Sequence, residues 1–502
     1  MKPVGYAYLH EYLALGVCPP KHPARVRPVT RIMSMGNEIA VPAGRAPDAS
    51  LLAHLVFALK HEGIDLAILA GSLPHLPIEE LREALQNSPN GIYLRKLAHL
   101  YEAMVKRLPF DIAVSGRAVP LFDPEHYIVG PSVRDSRWRI DFNGLGTLGY
   151  CATVRRTSVI TALLEEDILG QASTFMASLP TGMLDRAIQW AYLSETQSSF
   201  AIEQESPSPD KQQRFMQLLR QAHERRPLTE AYLVELQNST ISNPFDKAVT
   251  FRHEQNYLHN GLPGALGVSY LPPPPALCDE LMNGLMTWAN QDSDKGVAEG
   301  VSPLVVSAVL SFGFVFLHPF MDGNGRISRF LIHHTLCRKG GLDRDNLLPI
   351  SVAMKRHEAE YLAALEAFSK PTREHWNVNW IDADQYDFHF KGLEALYRFW
   401  DATEAVAFLL KMAKAALEDE LKAETRYLAC FDHVYAVINE AYDIRGSDLA
   451  RLVMMCLSNE GRLSNNRRKQ FRYQVADEVL DAIETEARKV LEAHQSEEAP
   501  PE

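Results

Sequence analysis

The sequence predicts a mainly α-helical protein, and three features carry that prediction. Apolar residues recur at helical spacing, as in Leu51, Leu52, Leu55, Val56 and Leu59. The run Leu304 to Leu317 (LVVSAVLSFGFVFL) has the length and uniform apolarity of a buried core helix. Pro207 with Pro209, and the four prolines Pro272 to Pro275, mark breaks in front of helical segments.

The chain has 502 residues, enough for about three domains at roughly 150 residues each. Its 51 basic and 63 acidic residues give a net charge of −12, so the surface as a whole repels nucleic acid and anionic membrane. Apolar residues at 46% and charged residues at 23% exclude wholesale disorder. Six widely spaced cysteines without CxxC pairs fit a reducing, cytoplasmic setting. The apolar run of 14 residues at Leu304 is too short for about 30 Å of hydrocarbon, so no membrane association is expected.

In order, Tyr6 to Cys18 reads as a first helix, with His10 and Glu11 interrupting any export signal. Pro19 to Pro47 has loop or short-strand character. Helical spacing then runs through Leu66, Leu69, Leu81, Leu85, Leu97, Tyr101 and Val105, giving an N-terminal, mainly helical domain over residues 1–120. Residues 121–227 are mixed: strand-like alternation from Tyr127 to Val154, helix from Thr157 to Leu193, and a helix from Asp210 to Arg225. A helical core spans 228–371 and includes Ala276 to Asn290. From Asp384 the chain reads as long amphipathic helices, making a C-terminal helical domain over 384–494 and a disordered acidic tail over 495–502.

One motif stands above the rest: His318 to Arg329, HPFMDGNGRISR, between the apolar run and another helical segment. Gly323, Asn324 and Gly325 form a tight turn whose backbone N–H groups, with those of the following helix N-terminus, make an anion cradle. Arg326 and Arg329 share one face of that helix's first turn, where the dipole disfavours cations and an anionic ligand favours them. Asp322 is a hard oxygen donor suited to Mg²⁺ bridging phosphates. His318 titrates near neutrality and suits a general base. Base, metal ligand, anion hole and charge clamp thus lie within twelve residues.

This segment matches, without gaps, the signature HPFx(D/E)GNGRxxR and on it the chain resembles the Fic-domain family, whose members transfer AMP from ATP to a protein hydroxyl. The resemblance implies a mainly α fold: a Fic-type helical core with a small β-hairpin flap, extended by helices at both ends. It also implies His318 as general base, Phe320 as core anchor, Asp322 as Mg²⁺ ligand, Gly323, Asn324 and Gly325 as anion hole, and Arg326 and Arg329 as phosphate clamps. ATP with Mg²⁺, and a protein bearing a Ser, Thr or Tyr hydroxyl or the chain itself, are the expected partners; a homo-oligomer is left open.

Flanking segments extend the likeness. Val249 to Leu271, followed by the proline run, is similar to the family's flap hairpin, whose edge holds a target strand. In His357 to Leu365 (HEAEYLAAL), Tyr361 stands at one of two nucleotide-contacting tyrosines and Glu360 replaces the other. Ser199 and Glu203, four apart in SSFAIE, resemble the inhibitory (S/T)xxxE(G/N) helix, whose glutamate pairs with the second motif arginine; Gln204 stands where Gly or Asn is expected. The same glutamate assists AMP removal in some relatives, so direction of transfer and nucleotide donor stay open.

Other signals read plainly. Gly144, Gly146 and Gly149 spell GxGxxG, but a strand rather than a helix follows, so they form a turn. His333 and His334 lack companion ligands and read as structural. The rival to an enzyme is Ser447 to Arg472, where Arg462, Arg467, Arg468, Lys469 and Arg472 beside Gly461 suit a helix-turn-helix contact with nucleic acid.

Overall fold

A computed structural model of the chain describes residues 2–241, 247–291, 301–339, 341–342, 346–382 and 385–497. The apolar helix Pro303–Leu317 is its axis. All of its residues except Pro303 and Val315 are buried, which explains why its sequence carries no amphipathic stripe. Around it pack Pro275–Ala289, Asn324–Arg338 and Thr403–Ala415, with Ile350–Arg356 packed on the last of these. The long helix Thr181–Ile202 lies against Asn324–Arg338 and Ile350–Arg356. One apolar core, drawing on residues from Ile128 to Leu421, joins these elements.

The N-terminal helices Leu51–His61, Leu66–Ser72, Ile78–Asn87 and Ile92–Met104 surround a second core containing Leu55, Leu69, Leu97 and Leu100. The side chains of Ser50 and Asp65 accept hydrogen bonds from Ala53 N and Ile68 N and start the first two of these helices. Pro19 to Pro47 holds a three-stranded sheet in which Glu38–Val41 pairs parallel with Ala24–Val26 and antiparallel with Met33–Met35. In the mixed region, Cys151–Arg155 pairs antiparallel with Tyr127–Ile128 and with Leu145–Gly146, and parallel with Phe399–Asp401. The GxGxxG glycines serve that turn: a Cβ on Gly146, at φ +147°, would lie 2.1 Å from Tyr150 O.

Three readings need correction. The first helix is Gly5–Tyr12, ending well before Cys18; the chain turns at Ala14, with φ 48°, and His10 Nε2 holds Val17 O at 2.8 Å. The segment from Asp384 does not begin as helix. Gln385–Phe390 is a strand paired antiparallel with Trp376–Asp382, as the two-residue alternation in QYDFHF dictates. This hairpin packs on the flap through Tyr257, whose ring lies 5.1 Å from Tyr386 and 5.3 Å from Phe388.

The third concerns 384–494, which is not one unit. Thr403–Ala415 belongs to the main core, while Lys422–Ala441, Gly446–Leu457, Asn465–Phe471 and Asp477–Glu497 close over their own core of Val434, Leu449, Val453, Leu480 and Ile483. Helix continues through Glu497, so the tail expected from 495 is helical over its first three residues; the rest of it, 498–502, lies outside the described residues. Among the described residues no helix is long and apolar enough to cross a membrane, and all six cysteines are free thiols.

Candidate active site

The apolar helix stops at His318, which caps it in the left-handed conformation at φ 49°. Its Nδ1 lies 3.1 Å from Val315 O. A carbonyl only accepts, so this contact puts the proton on Nδ1 and leaves Nε2 as a lone pair. Burial, the largest influence, lowers the imidazole to about 4; the Val315 contact works against that shift, and Arg252 adds to it. His318 is therefore neutral at neutral pH.

The turn that follows is built by its own residues. Asn324 is buried and folds back on Phe320, its Oδ1 accepting from Phe320 N at 3.0 Å and its Nδ2 donating to Phe320 O at 2.7 Å. Phe320 packs 5.6 Å from Phe251 and 6.4 Å from Phe314. Gly323, at φ 90°, caps the helix Asn324–Arg338, a backbone position that favours glycine. Its N–H donates to Asp322 Oδ1 at 2.6 Å, so the open donors of the cradle are those of the helix's first turn, beginning at Asn324 and Gly325.

Both arginines of that turn are buried, Arg326 at 2% and Arg329 at 1% exposure. Neither is free. Arg329 donates from Nε to Ser199 Oγ at 2.8 Å, and from Nη2 to Ser199 O at 2.7 Å and Glu203 Oε1 at 2.8 Å. Arg326 donates from Nη2 to Asp322 Oδ1 and from Nη1 to Glu205 Oε2, each at 3.1 Å. Burial pushes the Glu203 carboxyl up, but Arg329 and Arg326 outweigh it and hold it below the usual carboxylate range. A Cβ on Gly325 would sit 2.0 Å from Glu203 Oε1. Glu203 thus lies in the cradle itself.

Gln204 explains its own oddity. The helix Thr181–Ile202 ends with Glu203 as C-cap and Gln204 next, at φ 59°. That is the left-handed position at which helices favour Gly or Asn, and Gln204 holds it with a side chain.

Tyr361 is buried beside Arg329, its ring 5.6 Å from Phe408 and 6.0 Å from Phe312. Burial raises its phenol most, with Arg329 lowering and Glu203 raising it. Glu360, in place of a second tyrosine, turns to His357 at 3.2 Å and Lys411 at 3.7 Å. His333 and His334 are tied into the fold: His333 Nε2 meets Glu195 Oε1 at 2.7 Å, His334 Nε2 meets Arg226 O at 2.7 Å, and Ser351 donates to Glu195 from both N and Oγ.

Three residues beside the motif escaped the sequence reading. Arg252 donates to His318 O at 2.9 Å and Pro273 O at 2.6 Å, and Asn256 to Phe320 O at 2.8 Å, so the flap segment fixes the carbonyls of the loop. The third is Glu205. Their signal was the local density of polar residues in FRHEQN and EQE, which does not reveal partners more than 60 positions away.

The site defines a class: a helical protein with a glycine-bearing loop between two buried helices, a histidine at its start and two buried arginines at its end. Residues 227–336 match the Fic/DOC family, and the chain carries a Fic/DOC domain there. It is 32% identical over 97 residues to the protein adenylyltransferase Fic of Aedes aegypti, covering 19% of this chain and 17% of that protein. It is 29% identical over 99 residues to a protein named as a probable adenylyltransferase of Aquifex aeolicus, covering 20% and 26%. The chain thus spans about a fifth of the length of these curated relatives. Among solved structures, a Fic family protein from Desulfovibrio desulfuricans G20 aligns at 18% identity with a TM-score of 0.37, over 64% of this chain and 85% of that one.

Proposed function

We propose that the chain is a protein adenylyltransferase that moves AMP from ATP to a Ser, Thr or Tyr hydroxyl of a protein or of itself. The observation that carries this reading is the placement of His318: its Nδ1 lies 3.1 Å from Val315 O, which directs Nε2 to act as the acceptor, at the start of a loop that ends in two buried arginines. Such a base takes the hydroxyl proton as the oxygen attacks the α-phosphorus, and the bond to the departing pyrophosphate breaks. The first-turn N–H groups, Arg326 and Arg329 neutralise charge on the phosphates. Among the described residues, Arg326 Nε is buried without a hydrogen-bond partner, a donor that fits an anion with more oxygens than a carboxylate.

Among the described residues no cluster of three or more metal-donating side chains exists. Asp322 is the residue that would hold Mg²⁺, which would draw off charge from the phosphates. Glu203 then acts as an internal inhibitor, because its carboxylate takes the Arg329 donors that a terminal phosphate needs. Tyr361 closes the nucleotide end of the pocket.

The test is labelling of lysate proteins from α-labelled ATP with Mg²⁺ by the wild-type chain, Glu203→Gly, and Glu203→Gly with His318→Ala. Transfer that rises with the first change and vanishes with the second is expected; labelling that survives loss of His318 removes the mechanism.

A second reading rests on the helix Asn465–Phe471, of which Phe471 alone is buried. Arg467 and Lys469 face solvent there, flanked by Arg462 and Arg472, while Arg468 is tied to Asp481. A gel shift whose affinity falls steeply with salt is the result that nucleic-acid binding requires.

A further inference from the structure

We propose that Glu205 is a second inhibitory carboxylate, acting on Arg326 as Glu203 acts on Arg329, so that the resting chain blocks both phosphate-directed arginines separately. The inference rests on the adenylyltransferase reading and adds a residue outside the (S/T)xxxE(G/N) pattern.

The left-handed turn at Gln204 folds Glu203 N and Glu205 N back onto one acceptor, Phe200 O, each at 3.0 Å. The two carboxylates diverge from that knuckle, Glu203 to Arg329 and Glu205 to Arg326. Glu205 is held from its other side by Lys211 Nζ at 2.8 Å. Lys211 in turn sits in the first turn of the helix Pro209–Gln221, where its N–H donates to the cap Ser208. The Phe200 ring lies 4.9 Å from Lys211 Nζ and 5.4 Å from the Arg326 guanidinium carbon. Glu205 therefore bridges two cations across one aromatic ring, and the next helix fixes it there.

Arg326 is nearly inaccessible, and its two terminal nitrogens are spent on Glu205 and Asp322. A phosphate reaching Arg326 must displace Glu205, and a metal reaching Asp322 must draw that carboxylate from the same guanidinium. Among the described residues, Arg326 Nε is buried without a hydrogen-bond partner, so Glu205 is an incomplete substitute for phosphate. Because the two pairs share no atoms, removal of Glu203 leaves the Glu205 contact in place.

Binding of ATP with Mg²⁺, measured by calorimetry on full-length chains carrying His318→Ala to prevent turnover, tests the proposal. Glu205→Gln is added alone and together with Glu203→Gly. ATP affinity is expected to rise about fivefold or more on Glu205→Gln in both backgrounds, while adenosine, which has no phosphate, keeps its affinity. An unchanged or weaker ATP affinity in the Glu203→Gly background overturns the proposal. So does an equal rise for adenosine, which marks a general opening of the pocket. Absence of ATP binding in every variant removes the adenylyltransferase reading and the proposal with it.

Discussion

A roomy cavity and the chemistry of the motif loop lie in different places. A cavity of about 590 Å³ lies where the N-terminal helices meet the main core, lined by Tyr6, Asp65, Arg155, Phe368, Trp400 and their neighbours. At the motif loop, by contrast, Glu203 and Glu205 pair with the buried arginines. Empty volume is a poor guide to chemistry where polar side chains are already paired within the chain. A loop whose buried arginines are already paired with carboxylates keeps its donors out of sight of any cavity. In the cavity, Asp65 and Glu62 instead serve to start helices, through Ile68 N and Tyr6 N.

Breaking the contrast most completely is His318→Ala, which is expected to cut AMP transfer by about 10² to 10⁴-fold in the Glu203→Gly chain, leaving circular dichroism and melting temperature unaltered. Gly325→Ala comes next. The added methyl would meet Glu203 Oε1 at 2.0 Å, so Glu203 must leave the cradle, and the same methyl crowds an incoming phosphate. ATP affinity should fall by at least about tenfold, measured by calorimetry in the Glu203→Gly background, where Glu203 is not the cause.

Gln204→Gly sharpens the comparison in the other direction. Relief of the left-handed strain should raise stability by about 0.5–1 kcal/mol and lower basal transfer, because the inhibitory turn is better held; urea titration beside the labelling assay measures both. The smallest effect concerns pH. Glu203 is depressed by its arginines, so its stabilising contribution is present above the ordinary carboxylate value and is lost as pH falls through the lowered one. His318, lowered to about 4, stays an unprotonated base down to that value. The ratio of Glu203→Gly to wild-type activity is therefore expected to be flat between about pH 6 and 8, and a ratio that collapses in that window contradicts both assignments.

The twelve-residue motif was legible because its chemistry is local: His318, Asp322, Gly323 and Arg326 meet through one turn and one helix start. Ser199 and Glu203 were legible as a spacing, since residues four apart share a helix face. Arg252, Asn256 and Glu205 were not, because their partners are set by how the flap and the long helix dock rather than by neighbours in sequence. The strands Trp376–Asp382 and Gln385–Phe390 carried their alternation in plain view, but they are short and stand directly before a long helical pattern. The short first helix shows the reverse: apolar residues continue to Cys18, yet Leu15 and Val17 are buried in a turn rather than in helix.

One strand pairing has a consequence for how such a chain comes to exist. Phe399–Asp401 closes the parallel edge of Cys151–Arg155, and Thr403 Oγ1 accepts from Arg155 N across 248 positions of sequence. During synthesis, the segment carrying the motif leaves the ribosome well before the strand that completes its sheet. Long-range pairing of this kind is slow and leaves an edge open to other chains while it waits. A fragment ending with the matched segment at residue 336 leaves that edge unpaired and lacks Thr403–Ala415, so the main core of this protein is completed by residues far downstream of the motif.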